Sequence, residues 1–230
     1  WSKDSKWLAY AMADGMIAPS AIWLYNVETG KKHQVTSGMF NDTWPTFDRE
    51  GKYLYFASQR DFSSPMYEDI GTTWIYAKTD RLYVVPLTGE IDSPLLPKSD
   101  DETWEDEKDK KDKDGDKKKD KDKEEKKGDG KEDEKKVEPV KIDLEGFERR
   151  AVQLPVERGN FGPLAVNDKG QLVYSRRPFR GEGGEASVHL LDLDEEKEDE
   201  KEKTVAKGIR SFNPVEIGGI SQYKSFHQLG

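Results

Sequence analysis

Cysteine is absent from the 230 residues, so no disulfide framework and no thiolate metal site is available, and that absence excludes no compartment. No apolar run approaches the roughly 20 residues that a membrane-spanning helix needs, and no signal peptide precedes Trp1, so no membrane partner is expected. An excess of basic charge is missing too. The net charge of −9 argues against a phosphate-backbone partner and therefore against nucleic acid. Histidine is scarce: His33 and His189 fall in strand patterns as structural residues, and His227 follows "GGISQ", which lacks the G-x-S-x-G of a nucleophile turn. With no phosphate loop and no Cys/His cluster, no catalytic residue, metal or cofactor is expected in this chain.

Charge is plentiful but uneven. Most of its excess lies in Asp100 to Lys136 and in Glu195 to Lys203, and the remainder has an aromatic-rich globular composition. Ordering the 37 residues of the first run would cost on the order of 40 kcal/mol of backbone entropy, at about 1 kcal/mol each, and only Trp104 offers sizeable apolar area in return. A disordered, solvated insert is the expectation. Asp112, Asp114 and Asp116 imitate the first ligands of a calcium loop. Lys117, however, stands where an EF-hand needs Gly, and Lys123 where it needs the bidentate Glu.

The ordered remainder is a repeat. "WSKDSKWLAYAM" aligns with "FDREGKYLYFAS" at a constant offset, pairing Trp1 with Phe47, Lys6 with Lys52, Leu8 with Leu54 and Tyr10 with Phe56. A third copy, "LAVNDKGQLVYS", matches Gly170 to Gly51 and Tyr174 to Phe56 after dropping one residue. Between the paired strands lie "DSK", "EGK" and "KGQ", tight turns in which Gly supplies positive φ and Ser5 is the departure. Second strands follow in "IWLYNVETG", "LYVVPLTG" and "VHLLDLD", and outer strands in "KKHQVTS", "ERRAVQLPV" and "KTVAKG".

About four short antiparallel strands per unit is the pattern of a β-propeller blade. In "KYLYFAS" both period-2 sets are apolar: Tyr53, Tyr55 and Ala57 on one side, Leu54 and Phe56 on the other. A blade packed between two neighbours requires this. A sandwich would predict alternation and no internal homology. The fold class expected is all-β, a partial β-propeller of about three four-stranded antiparallel blades. Residues 1–99 carry the first blade and most of the second, 100–136 the insert, and 137–211 the end of the second blade with the third. The final 212–230 form an uncertain or truncated blade. The chain opens inside a repeat unit, which marks its start as a cut.

The loop Ser58 to Arg81 is too long for an ordinary hairpin connection and is rich in aromatics, so it is either a recognition element or a plug over a blade edge. Strand parity places it on the same rim as "RRPFRGEGGEA", with the charged insert on the opposite rim. That shared rim gathers Phe62, Tyr67, Trp74 and Phe179 with Arg60, Arg176, Arg177 and Arg180. Such guanidinium groups either pair with a peptide's terminal carboxylate or serve Glu182 and Glu185.

The hairpin "W/F-S-x-D-G-K-x-L-x-F" resembles propeller repeats of the TolB and tricorn type. More narrowly, "VTSGMFNDTWPTFDREGKYLYFASQRDF", a Tyr/Trp-containing loop ending "RLYVVPL", "SPLLPKSDDE", a charged insert and "VKIDLEGFERRAVQLPV" occur in the order of the later blades of the second propeller in tricorn protease homologues. The similarity runs from about Trp1 to Lys207, and after "IRSF" the chain departs from the pattern. It implies a non-catalytic propeller that gates or guides oligopeptides to serine peptidase and PDZ domains of the same parent chain, with a homo-oligomeric assembly. The implied compartment is cytoplasmic, or periplasmic as the alternative. The rivals are a stand-alone TolB-like propeller for protein–protein binding and the gating propeller of a prolyl-oligopeptidase-type enzyme.

Overall fold

The computed structural model describes residues 1–69, 73–96, 138–179, 183–195, 197–209, 212–217 and 220–225. The charged insert, with its calcium-like aspartates, lies outside the described residues, as do Arg180 and His227. By contacts the chain divides into Trp1–Leu95 with Val137–Gly230, described below, and Leu96–Lys136, of which only Leu96 is described.

Strands dominate. The first sheet runs β1 (Trp7–Ala13), β2 (Ser20–Asn26), β3 (Lys32–Gln34). The second holds β4 (Asp42–Phe47) and β5 (Tyr53–Gln59) and closes with β8 (Asp80–Pro86) and β9 (Val152–Gln153). Between β5 and β8 a separate hairpin forms from β6 (Pro65–Asp69) and β7 (Thr73–Tyr76). The third sheet is β10 (Asn160–Val166), β11 (Leu172–Arg177), β12 (Ser187–Leu191) and β13 (Glu202–Lys207). Neighbours in these three sheets pair antiparallel. The chain is all-β, as the repeat predicts, with one correction: the first sheet has three strands rather than four, β1 answering to β5 of the second. Beyond the third sheet, β14 (Phe212–Ile217) and β15 (Ile220–Ser225) pair as a two-stranded hairpin, so the segment that leaves the family's turn pattern still forms strands.

The three repeat turns share one device. Ser2 Oγ accepts from the Trp7 amide at 2.9 Å, Asp48 Oδ1 from the Lys52 and Tyr53 amides at 2.8 and 3.0 Å, and Asn167 Oδ1 from the Lys169 and Gln171 amides at 2.9 and 3.0 Å. A short polar side chain thus satisfies donors that the turn leaves open. The left-handed position inside each turn falls to Ser5, Gly51 and Gly170, at φ 59°, 72° and 79°. The turn in the third sheet is one residue shorter, which accounts for the residue dropped in its alignment.

Both faces of β5 are covered. Leu54 and Phe56 pack toward the first sheet with Ile22, Leu24, Val85 and Leu87, while Tyr55 and Ala57 pack toward the third with Leu82, Leu164, Leu172 and Tyr174. Each large side chain so buried contributes about 1.5–3 kcal/mol, enough to fix the sheets face to face. The segment after the insert adds to the first of these cores: Val140 and Phe147 are buried beside Phe47 and Phe56. Asp80, 8% exposed, ties the second sheet to the third by accepting from the Phe161 amide at 3.1 Å, while its own amide and carbonyl bond to Gly159.

Candidate functional site

Antiparallel order sends the β5–β8 and β11–β12 connections, and the β9–β10 link, to one rim. There Lys78, Arg158, Arg176 and Arg177 line a cleft of about 240 Å³, with Glu157, Gly183, Gly184 and Glu185 on its walls. The predicted sharing of a rim by the two long loops is what places Lys78 beside Pro178 and Glu185.

Individual side chains in the cleft are held to different degrees. Arg176 stacks over Phe161 at 5.5 Å and donates from Nη2 to the Glu157 carbonyl at 2.8 Å, leaving Nε buried and unpartnered. Arg177 is exposed at the end of β11. Arg158 donates to Ser63 Oγ and, at 2.7 Å, to Ser64 Oγ, and it lies 3.4 Å from Asp61. Asp61 also receives Arg81 at 2.6 Å. The hydrogen bonds it accepts from the Ser63 hydroxyl and amide, with those from Arg81, hold the Asp61 carboxyl well below the usual range, so the loop carrying Phe62 is pinned by an ionised acid.

Phe62 is 51% exposed and meets Tyr76 edge to face at 5.2 Å. Tyr67 and Trp74 are paired positions in the β6–β7 backbone register. Phe179 is half-buried beyond the cleft. Arg60, expected among the rim arginines, is instead folded between the first two sheets. It lies over the Phe40 and Tyr83 rings at 4.9 Å each, 2.8 Å from Glu148 and 3.6 Å from Asp42, with only 18% of its side chain exposed. The buried Asp42 it faces also accepts from Ser58 Oγ, and the cost of burying that carboxyl raises its pKa despite these partners. Burying the guanidinium costs hydration, and the Phe40 and Tyr83 faces together with the Asp42 and Glu148 carboxylates offset that cost at one point.

Sequence reasoning did not single out Lys78 and Arg158. The parity argument that placed the β5–β8 loop also carries the β9–β10 link to the same rim, and extending it to "VERGN" would have found Arg158.

A second cluster lies on the third sheet. Ser187 Oγ stands 2.8 Å from His189 Nε2, and His189 Nδ1 2.9 Å from Glu202, with the imidazole stacked on Tyr174 at 5.4 Å. His189 holds Glu202 down to about 2 against the cost of its burial. The ring is enclosed between sheets and Ser187 sits in the strand ladder, so this relay staples β12 to β13. On the opposite rim, the ends of the inner strands and their turns surround a cavity of about 540 Å³ lined by Lys3, Thr46, Asp48, Arg49 and Val166. Among the described residues no group of His, Asp or Glu side chains could hold a metal ion, and no helix is long and apolar enough to cross a membrane.

Comparison with known proteins agrees with this architecture. The family model of the tricorn protease second beta propeller domain matches residues 1–213. A tricorn protease homolog of Saccharolobus solfataricus is 25% identical over 181 residues, covering 79% of this chain and 14% of the relative. Tricorn protease homolog 1 of Streptomyces coelicolor is 27% identical over 194 residues, covering 84% of this chain and 16% of the relative. The chain therefore spans under a fifth of their length. The crystal structure of the tricorn protease superposes with a TM-score of 0.60 at 17% identity, over 93% of this chain and 18% of that one, which shows the shared fold. With the matched family covering the three sheets and their turns, the chain belongs to the tricorn protease second β-propeller family.

Proposed function

We propose that this chain is the part of a tricorn-like serine peptidase that guides oligopeptides toward a catalytic domain elsewhere in a larger, oligomeric protein. The observation that carries this reading is the rim cleft, where connections from two sheets bring Lys78, Arg158, Arg176 and Arg177 around about 240 Å³, with Phe62 exposed on the loop that Arg158 holds through Ser63 and Ser64. Cationic groups next to an aromatic anchor suit a short peptide with a free carboxylate. No hydrolytic step is assigned to any residue of the chain. The test is Arg176→Ala with Arg177→Ala in the full-length protein, measuring kcat/KM on matched peptides with free and amidated carboxyl ends. A loss confined to free-carboxylate peptides is the expected result, and unchanged values on both would remove the guiding role.

A further inference from the structure

The innermost strands β4 and β10 are both interrupted by a bulge at a proline: Trp44-Pro45 in one, Gly162-Pro163 in the other. Proline belongs at such a place, since the bulge needs no ladder donor there. The residue before it is under a tighter constraint. At Gly162 an added Cβ would run into Ser175 Oγ, so the third sheet keeps glycine. In the second sheet the corresponding residue of the bulge is tryptophan, and it takes φ +56°, a left-handed conformation that bulky side chains rarely adopt and that Gly162 itself does not take.

Burial offsets that strain only in part. The indole is 41% exposed, whereas neighbouring Phe47 is 6% exposed. β4 is the edge strand of its sheet, with no strand paired on its inner side, and it lies between β1 and β10. Thr46, two residues further along, lines the cavity between the inner strand ends. A strained, partly exposed aromatic on the edge that faces the axis is better placed to meet a ligand than to stabilise the blade.

We infer that Trp44 is a contact residue within the axial passage, stacking on apolar side chains of an extended peptide and so favouring peptides that carry them. This rests on the guiding role proposed above. Its chemistry is distinct from the rim's: the cleft offers charge to a terminus, and Trp44 offers a flat apolar face to a side chain.

In the full-length protein, Trp44→Gly, Trp44→Asn and Trp44→Phe separate contact from packing. Gly and Asn both accept positive φ, so the strain they relieve offsets the packing lost with the indole, and neither is expected to lower Tm by more than about 2–4 °C. For peptides with central Phe or Leu, Gly and Asn are expected to lower kcat/KM by about two- to tenfold, with Gly/Ser-only peptides unchanged and Phe close to wild type. A fall in Tm of several degrees for both Gly and Asn, or unchanged kcat/KM for apolar peptides, overturns the assignment. If the Arg176/Arg177 variant impairs turnover and the Trp44 variants do not, the Trp44 assignment alone falls. If neither does, the guiding role falls with it.

Discussion

Ser5 and Gly51 occupy the same position of the same turn in adjacent sheets, at φ 59° and 72°. Glycine holds that conformation freely, and serine does so against the clash of its Cβ with the backbone. Packing differs as well: a Cβ on Gly51 would come 2.8 Å from Val140 Cγ2 and 3.1 Å from Lys3 Cε. Ser5→Gly is therefore expected to stabilise by about 0.5–1 kcal/mol, and Gly51→Ala to destabilise by roughly 1–3 kcal/mol. Chemical denaturation of the two variants checks the opposite signs.

The turns, the double-faced strands and the blade order were legible in sequence because each follows from local chemistry repeated at a fixed spacing. Tyr55 and Phe56 show it best: adjacent apolar residues on opposite faces have no explanation in a one-sided sheet, and they do pack into separate cores. Arg60 was not legible. Its loop position argues for the rim, but its destination is set by Phe40, Asp42, Tyr83 and Glu148, residues up to 88 positions distant that only folding brings together. The β6–β7 hairpin escaped for a related reason. Its strands pair with each other and not with a blade, so no counterpart in the other units announces them.

The Arg60 clamp yields a second prediction. Asp42 is 1% exposed and is bonded by Ser58 Oγ, so removing it strands a guanidinium between two aromatic rings with Glu148 as its remaining carboxylate. Asp42→Ala is expected to destabilise by about 1–3 kcal/mol, less than breaking a buried pair outright because Glu148 still pairs with Arg60. Arg60→Met together with Asp42→Ala is expected to recover part of that loss, because the buried guanidinium left short of one carboxylate is gone. Equal losses in the single and double variants would refute the clamp as a coupled unit.

Association of the isolated chain is a third expectation. Register places Leu8 opposite Tyr25 and Tyr10 opposite Trp23 on the face of the first sheet turned away from the second, and none of the four is fully buried. Apolar faces built for a neighbour favour self-association when none is present. Light scattering of the 230-residue chain is expected to show concentration-dependent oligomers, and a monodisperse monomer with cooperative unfolding would count against unfinished blade faces.

The pH response separates two sets of acids in the same sheets. Burial raises Asp42, Asp48 and Asp80, so their folded-state pKa values exceed the unfolded ones and they cost stability at neutral pH that acidification relieves. Glu202 is the reverse case: His189 at 2.9 Å holds its folded-state value near 2, below the ordinary 4.5 of the unfolded chain. Its contribution is therefore complete above about pH 4.5 and lost as pH falls toward 2. Glu202→Gln removes that dependence without changing the size of the side chain. Thermal unfolding from pH 6 to pH 3 is expected to show wild type losing Tm more steeply than Glu202→Gln, so the gap between them narrows as Glu202 of the unfolded chain takes up its proton. His189→Gln is expected to narrow it already at pH 6, because the Glu202 carboxylate then loses the ring nitrogen 2.9 Å away that stabilises it. Parallel curves for wild type and Glu202→Gln would mean that the Ser187–His189–Glu202 relay carries no net stabilisation, leaving packing of the imidazole on Tyr174 as the only part of it that holds β12 in place.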